Sequence, residues 1–490
     1  MWLKSLLFLA WISCFAHNLT AQEAWTTLSE GSLEEVQALM ENLPEGIALD
    51  EYLGSPPFTV AAISNPHANV LTYLLEQGGN LEAVDEDGWT ALMLAIYYNP
   101  SLAPVEFLFQ AGANWSHQSK QGWSASSLAG YHPDSLSILH LLHDRGARFK
   151  EVTNTGQTVL MSFASSCVDS DAFSFLLQQG ESLEEVNEDG WTALHFAALE
   201  CQSFDVLYTL LAAGAVVDAR ATNGVTPLME AAHHFDETQA LDIFLQAGAD
   251  IHAVDQDGYT PLMHVAHGSE DPDAVDLLLL AGSTLEFSLE DGLTSLMLAA
   301  SQSESLLVVQ RFIERGANLH AKDEDGWTSL FYAACFNPDP AIMRLLVESG
   351  LKVQAKDADG ETAFMNAASI GDFPSGLSTL LELGADLEAR DEDGMTPLML
   401  AASANENPTM IQQLLGLGAE LEAVDEDGWT ALTYAAVLAQ DIAILEVLLK
   451  AGANPRAKDD VGWTPMQYTR LNSNITKEDY AKLVKAYRKK

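Results

Sequence analysis

The stretch VDEDGWTALMLA, from Val84 to Ala95, decides the fold because the chain repeats it with small changes. VDEDGWTALTYA returns at Val424 to Ala435, and KDEDGWTSLFYA lies between them at Lys322 to Ala333. Each copy has an acidic turn, a glycine, a tryptophan and the beginning of an alanine-rich segment. Such a turn is either a site that is used many times or the hinge of a structural unit that is used many times.

The glycine of this stretch recurs with a period of 34 residues. The series contains Gly88, Gly122, Gly156, Gly190, Gly224, Gly258, Gly292, Gly326, Gly360, Gly394, Gly428 and Gly462, and Gly54 extends it toward the N-terminus. A second glycine follows 24 residues after each member from Gly54 to Gly428, for example at Gly112 and Gly248. Unrelated loops do not share one phase over this length, so the sequence predicts an array of repeats.

Each repeat has the start and stop signals of two helices. Thr or Ser stands two residues after every glycine from Gly88 onward, which is typical of a helix N-cap, and proline follows it at Pro227, Pro261 and elsewhere. A leucine and a pair of small residues come next, then a polar break, and then a leucine-rich segment that ends at the second glycine. The predicted unit is therefore a turn, a short helix, a break, a longer helix, a glycine stop and an extended return.

These motifs resemble ankyrin repeats. DQDGYTPLMHVA at Asp255 to Ala266, preceded by LDIFLQAGADIHAVD, has the phrase D-x-x-G-x-T-P-L with alanine and L-L-x-x-G-A-x of that family. Tetratricopeptide repeats share the 34-residue period, but they carry tryptophan inside the first helix, whereas here it precedes the helix. The resemblance covers about Leu28 to Arg470 and implies an all-α repeat solenoid, with β-like hairpin turns and a curved stack of helix pairs. The usual ankyrin unit is one residue shorter, and the extra residue falls in the break between the helices.

The two ends of the chain differ from the repeats. Residues 1–21 have one lysine, an apolar run and small residues, so they are interpreted as a signal peptide that is cleaved after Ala21, with Ala16 as the alternative. Residues 22–53 are predicted to be an N-terminal capping half-repeat, residues 54–469 the tandem repeats, and residues 470–490 a basic capping helix. An exported, bacterial protein is expected, either secreted or periplasmic. Lipoprotein anchoring through Cys14 is the less favoured alternative.

The charge balance limits the classes of partner. The chain has 70 acidic and 23 basic residues and a formal net charge of −47, which repels nucleic acid and anionic membrane surfaces and favours basic proteins. The alternative is an acidic structural or envelope protein in high salt, where the charge serves hydration and indicates no partner. Beyond the leader no apolar run reaches the roughly 18 residues of a membrane span, so none is predicted in the mature chain.

Cysteine and histidine residues do not indicate a disulfide framework or a metal site. After cleavage, Cys167, Cys201 and Cys335 remain, and this odd number does not indicate a disulfide framework. Cys167 and Cys201 stand one period apart, which is too wide for a disulfide, so free thiols are predicted. His233 and His267 also stand one period apart, a separation of roughly 8–10 Å between stacked helices, which is too wide for a shared zinc ion. These histidines and their neighbours His234 and His264 are interpreted as solvated residues at helix ends. No metal and no cofactor are predicted.

The acidic turn has two interpretations. Asp directly precedes the glycine at Asp87, Asp257, Asp325, Asp393 and Asp427, among others. These carboxylates either bond nearby backbone amides, as Asp does in many turns, or form a row that binds a basic partner. A calcium loop of the EF-hand type is excluded, because Ala83 and Leu94 would occupy ligand positions 1 and 12.

The position after the glycine carries seven aromatic residues, here called the turn column: Trp89, Trp123, Trp191, Tyr259, Trp327, Trp429 and Trp463. The same position also accepts Gln157 and Glu361, so it is expected to be partly exposed. In ankyrin repeats the matching position lies on the concave face that binds partners, and exposed aromatic residues are good interface anchors. The alternative is that each indole covers a neighbouring turn. Two partner-binding regions are predicted, at Trp89–Trp123 and at Trp429–Trp463.

No motif of nucleophilic, metal or phosphate chemistry appears in the chain, and no unique insertion breaks the period. The sequence therefore predicts a non-enzymatic scaffold for protein–protein interaction, monomeric, that binds through its concave face and hairpin turns.

Overall fold

A computed structural model of the protein describes residues 21–41, 56–166, 170–200, 204–234, 238–371 and 373–487. Over these ranges the chain is all-helical, and its helices come in fourteen successive pairs. The first helices of the pairs are Ala21–Glu30, Pro57–Ser64, Ala91–Tyr98, Ala125–Leu128, Val159–Ser166, Ala193–Glu200, Pro227–His234, Pro261–Gly268, Ser295–Gln302, Ser329–Phe336, Ala363–Ile370, Pro397–Ala404, Ala431–Leu438 and Pro465–Tyr468. The second helices are Leu33–Glu41, Ala68–Glu76, Leu102–Ala111, Ser135–His143, Ser170–Gln178, Phe204–Ala212, Thr238–Gln246, Pro272–Ala281, Leu306–Glu314, Pro340–Glu348, Pro374–Glu382, Pro408–Leu417, Ile442–Ala451 and Lys477–Tyr487.

The repeat that contains the opening stretch has the predicted order of elements. Gly88 has a φ of 83°, which a residue with a Cβ rarely adopts, and a single β-bridge between Val84 and Thr90 closes the turn. The Thr90 hydroxyl then accepts the Met93 N–H at 3.3 Å and begins the first helix as its N-cap. The second helix ends at Gly112, which is left-handed as well. The start and stop signals that were taken from the sequence are thus the ones that the chain uses.

The described helix pairs form two compact units, one from residues 1–230 with 246–249 and the other from residues 231–245 with 250–490. Within each unit, first helices pack against first helices and second helices against second helices. The small residues of the first helices are at this contact, since Ala299, Ala300 and Ala401 are fully buried. Small side chains let the helix axes approach closely, so each pair buries its apolar face against its neighbours. The predicted all-α repeat solenoid is confirmed.

Neighbouring turns are joined by backbone hydrogen bonds, which fix the register of one repeat on the next. The residue two places before the glycine donates its N–H to the carbonyl of the residue before the glycine of the preceding turn. Examples are Lys120 to Asp87 at 3.0 Å, Ala358 to Asp325 at 2.8 Å and Asp460 to Asp427 at 3.1 Å. At Gly326 a Cβ would lie 2.9 Å from the backbone nitrogen of Ala358, so a larger residue there must displace this neighbouring backbone.

A buried asparagine side chain holds the break between the two helices against the preceding repeat. Asn99 is 1% exposed, and its Nδ2 donates to the carbonyls of Ala62 at 3.1 Å and of Asn65 at 2.8 Å, both in the preceding repeat. Its Oδ1 accepts the Ser101 N–H at 3.0 Å, just before the second helix. One side chain thus satisfies polar groups of two repeats in the segment where this chain is longer than the usual ankyrin unit. Asn65 and Asn405 make the corresponding pair of contacts with the helix pairs that precede them.

The N-terminal segment differs from the prediction of a half-repeat with one helix. Two helices lie within the part of 22–53 that the structure describes, Ala21–Glu30 and Leu33–Glu41, and they pack on the first and second helices of the following repeat. The chain turns between them at Ser32, whose N–H donates to Glu35 Oε2 at 2.7 Å. Leu28 is fully buried in the first of these helices. The signal-peptide prediction for residues 1–21 falls outside the described residues except for Ala21.

The C-terminal segment has the polar helix Lys477–Tyr487, whose Tyr480 ring is fully buried against the last repeat. In the last helix pair, the first helix, Pro465–Tyr468, is short and continues as a 3₁₀ turn at Thr469–Leu471. The repeat at Gly122 has the same form, with Ala125–Leu128 and then Ala129–Tyr131. In the described ranges, no helix has the length and apolarity that crossing a bilayer requires.

Candidate functional site

The turn column and its aspartates lie in the hairpin turns that precede the first helices. All seven aromatic residues of the turn column are half-buried, and Asp87, Asp257, Asp325, Asp393 and Asp427 are all exposed. The partial exposure that the sequence indicated for the column is therefore present. We call the seven aromatic residues and these five aspartates the turn surface.

The buried part of each indole packs on aromatic residues of the first helix. Trp327 lies 5.7 Å from Phe331 and 5.5 Å from Tyr332, measured between ring centroids. Trp191 makes similar contacts with His195 and Phe196. The turn column thus stabilises the joint between turn and helix and presents its remaining surface to solvent. The two interpretations of the column are compatible, because each ring has a packed part and an exposed part.

Tyrosines bridge both of the tryptophan pairs that were predicted from the sequence. Near the N-terminus, Trp89 contacts Tyr97 at 5.4 Å, Tyr97 contacts Tyr131 at 5.2 Å, and Tyr131 contacts Trp123 at 6.3 Å. Tyr98 lies against Tyr97 at 4.7 Å and widens this patch to five rings. The sequence analysis did not single out these tyrosines. The signal was present, because Tyr97 and Tyr98 are adjacent and Tyr131 stands one period after Tyr97.

The C-terminal pair is built differently. Tyr468 lies 4.7 Å from Trp429 and 5.2 Å from Trp463. The guanidinium of Arg470 lies over the Trp463 ring, 4.2 Å from its centroid. This is a cation–π contact, so the chain itself shows which side-chain chemistry the turn column accepts.

Where a turn has aspartates three residues and one residue before the glycine, the two carboxylates have different roles. The first one accepts backbone N–H groups: Asp425 Oδ1 takes those of Asp427 at 3.0 Å and of Trp429 at 2.8 Å. Asp85 does the same for Asp87 and Trp89. In these two turns the first acid stabilises the turn, whereas the second, Asp87 or Asp427, is exposed. In the Gly292 turn the aspartate directly before the glycine does bond the backbone, since Asp291 Oδ1 accepts the Leu293 N–H at 3.0 Å. Backbone bonding by the second acid, one of the two interpretations of the sequence, therefore applies to that turn and not to the other two.

The first acid also anchors the first helix through its other oxygen. A side chain nine residues later donates to Oδ2 in five repeats, and this column was missed in the sequence. The pairs are Asp255 with His264, Asp323 with Tyr332, Asp357 with Asn366, Asp425 with Tyr434 and Asp459 with Tyr468. Because each of these donors shares its repeat with an aspartate, the pairing could have been found by comparing the two columns along the chain.

The acids give the turn surface a negative potential. The pKa of Tyr98 is raised to about 12 by burial first, and then by Tyr97 and the carboxylates of Asp85 and Asp87. Burial, a bond to Asp323 and nearby carboxylates also raise the pKa of Tyr332. A negative charge is therefore disfavoured on this surface and a positive one is favoured.

Glu361 occupies the tryptophan position of its repeat, where a charged carboxylate is unfavourable. It is half-buried, and burial followed by the charges of Asp357, Asp391 and Asp359 raises its pKa from 4.5 to about 7. The neutral carboxyl is thus the form that the fold prefers. Its stability contribution is fully present below pH 4.5 and is lost as the pH rises through about 7.

We predict that Glu361→Gln stabilises the protein at pH 8 and leaves its stability unchanged at pH 4. The amide keeps the shape and removes the charge, and solvent screening limits the gain at pH 8 to about 1 kcal/mol. Urea unfolding at the two pH values measures this. The exposed Glu324→Gln is the matched control, and an equal effect of both variants at pH 8 would show that the environment of Glu361 is not special.

The histidines are less solvated than the sequence indicated. His233, His264 and His267 are half-buried, and the His233 ring lies 4.8 Å from that of His267 and 6.2 Å from that of His264. His234 is exposed. Burial and the neighbouring imidazoles lower the pKa of His233 to about 4, so it is neutral at pH 7. The prediction of solvated histidines is wrong for these three residues, because their rings pack against one another between neighbouring first helices.

The remaining sequence-level predictions concern metals and thiols. No group of three or more His, Cys, Asp and Glu side chains within the described ranges is arranged to hold a metal ion. Cys335 is a buried thiol. Cys167 and Cys201 lie outside the described residues, so the prediction of free thiols there stays a prediction.

The comparison with known protein families identifies the repeat. A family model described as ankyrin repeats, in three copies, matches residues 25–119, 126–221, 202–286, 262–357, 296–391, 334–422, 364–459 and 398–477. No curated protein matches the chain. Since the matches span nearly all of the residues from 25 to 477, and the helix pairs, turn glycines and N-caps agree with them, the chain belongs to the ankyrin-repeat family.

Proposed function

We propose that the protein is an exported, non-enzymatic scaffold that binds a basic protein partner through the turn surface. Ankyrin repeats are generally protein–protein interaction modules. The observation that carries the proposal is the row of half-buried aromatic rings beside exposed aspartates along the turns. In this family that row corresponds to the concave face. Aromatic residues with one packed side make good interface anchors, because they lose little conformational freedom on binding.

The charge of the chain supports a basic partner. The formal net charge is −47, and burial together with the carboxylates of the turns raises the pKa of Tyr98 and Tyr434. Such a field attracts a positively charged protein and steers its approach. Export rests on the N-terminal sequence, and we propose a secreted or periplasmic, monomeric protein without a membrane span in the mature chain. Anchoring through Cys14 is the alternative for its location.

Partner capture with a matched pair of variants tests the proposal. The mature chain is immobilised, and bound proteins are compared with those on a variant in which Trp89, Trp123, Trp429 and Trp463 are alanine. The control replaces exposed apolar residues of the second helices, Leu280 and Leu307, with alanine. We expect the tryptophan variant to lose a basic partner that the wild type and the control both retain. A partner that all three proteins retain equally would refute the role of the turn surface.

A salt titration separates the scaffold from the alternative of an acidic protein adapted to high salt. Screening weakens attraction between exposed charges, so affinity for a basic partner should fall as salt rises. A protein whose acids serve hydration should instead gain thermal stability with salt and show no specific partner.

A further inference from the structure

Trp89, Tyr97, Tyr98, Trp123 and Tyr131 form one continuous group of aromatic contacts, the five-ring patch. It joins two repeats through the contact between Tyr97 and Tyr131, and Tyr97 is 37% exposed. Because the rings meet at angles rather than in one stack, the patch offers both ring faces and ring edges to a ligand.

The other end of the chain shows what such rings bind. Trp463 holds the guanidinium of Arg470 over its face at 4.2 Å, and this arginine comes from the chain itself. Over the described residues the second such contact is Arg145 over Phe109, and neither involves Trp89 or Trp123. Lys120, the nearest basic residue in sequence to Trp123, donates its Nζ to the Glu86 carbonyl.

The carboxylates beside the patch complete a site for a cation. Asp87 is exposed and stands two residues before Trp89, and Asp85 and Asp87 add to burial and Tyr97 in raising the pKa of Tyr98. A guanidinium suits this combination, since its planar faces stack on aromatic rings while its N–H groups bond carboxylates at the edge. An ammonium group is more strongly hydrated and has no planar face, so it gains less from the rings.

We propose that the five-ring patch is a binding site for an arginine side chain of a protein partner, and that Arg470 occupies the corresponding position at the C-terminal pair. This inference rests on the proposed function and names the side chain that the turn surface recognises. It also makes the two predicted regions unequal, because the N-terminal patch receives its cation from a partner and the C-terminal one from its own chain.

Peptides of equal length test the site on the full chain. A Gly/Ser peptide with spaced arginines is compared with the same peptide carrying lysine, which has equal charge, and with one carrying citrulline, which has the same shape without charge. Isothermal titration measures affinity. We expect the arginine peptide to bind about tenfold more tightly than the lysine peptide, since a desolvated cation–π contact contributes on that order, and the citrulline peptide to bind still less.

Paired variants locate the binding. Trp89→Leu with Trp123→Leu should remove the preference for arginine, whereas Trp463→Leu should leave it intact because Arg470 already covers that ring. Circular dichroism confirms that both variants are folded. Equal affinity for arginine and lysine peptides in the wild type, or equal loss in both variants, would overturn the inference.

The same variants keep this inference distinct from the proposed function. If Trp89→Leu with Trp123→Leu still binds the captured partner while the four-tryptophan variant does not, the arginine site is wrong and the scaffold function stands. If the four-tryptophan variant binds the partner normally, the proposed function itself fails.

Discussion

Gly326→Ala is expected to lower the free energy of unfolding by about 2–4 kcal/mol, one of the two largest effects that we predict. Gly326 has a φ of 81°, where an alanine is strained by roughly 1–2 kcal/mol. A Cβ at this position would also lie 2.9 Å from the backbone nitrogen of Ala358 and 3.2 Å from the carbonyl carbon of Asp357, in the next turn. Those atoms belong to the backbone ladder between turns and cannot move aside independently.

Gly316→Ala is the matched control for this prediction. Gly316 ends the second helix with a φ of 90°, but no atom lies within 4 Å of a Cβ built there. The control therefore has the strain without the collision and should cost roughly 1–2 kcal/mol. Urea unfolding, together with amide exchange in the two flanking repeats, measures both variants. Equal costs would mean that the turns are not in close contact and that the register of the repeats is set elsewhere.

Asn99→Ala is expected to cost about 2–4 kcal/mol, because it removes three hydrogen bonds from a buried site. The carbonyls of Ala62 and Asn65 and the N–H of Ser101 would each lose the bond to this side chain, which is 1% exposed. In an array, stability is a sum of contacts between neighbours, so the loss should be greatest in the repeats that flank Asn99.

Thermal unfolding and amide exchange test the Asn99 variant against Asn80→Ala. Asn80 is exposed, and its Oδ1 accepts the N–H of Glu82 at 3.0 Å within the same turn. Its removal should cost no more than about 1 kcal/mol. A result in which Asn99→Ala is as mild as Asn80→Ala would show that water reaches the break and replaces the amide.

The repeat architecture could be predicted because its signals are local. The turn glycines need a positive φ, the Thr or Ser that follows needs only the next turn of helix, and both requirements recur with the period of the chain. The first helix of the N-terminal pair, Ala21–Glu30, was not foreseen, because no turn glycine precedes it as in the other repeats.

The contacts within the candidate site could not be predicted, because they depend on the path of the backbone and on packing between repeats. Asp85 and Asp87 are chemically identical and two residues apart, yet the first is bonded to its own turn and the second is exposed. Only the path of the backbone around Gly88 separates them. The same holds for Tyr97 and Tyr131, which come from different repeats and meet because first helices stack in register.

The turn column shows why the sequence left two interpretations of the tryptophans open. The position accepts Glu361 as well as Trp327, which indicates partial exposure, and both side chains are half-buried in the structure. Glu361 is tolerated there because its pKa rises to about 7, so the carboxyl is neutral part of the time at pH 7. A pattern of residue types does not reveal such a shift, since it depends on the acids of the neighbouring turns.

Amide hydrogen exchange of the free and partner-bound chain tests the central claim most directly, because it maps the surface that binds. If the turn surface binds the partner, exchange should slow in peptides that cover the hairpin turns and the starts of the first helices, above all around Trp89 and Trp123. Peptides from the second helices, such as Pro272–Ala281, should exchange at the same rate in both states. Slower exchange confined to the second helices, with the turns unchanged, would contradict the account.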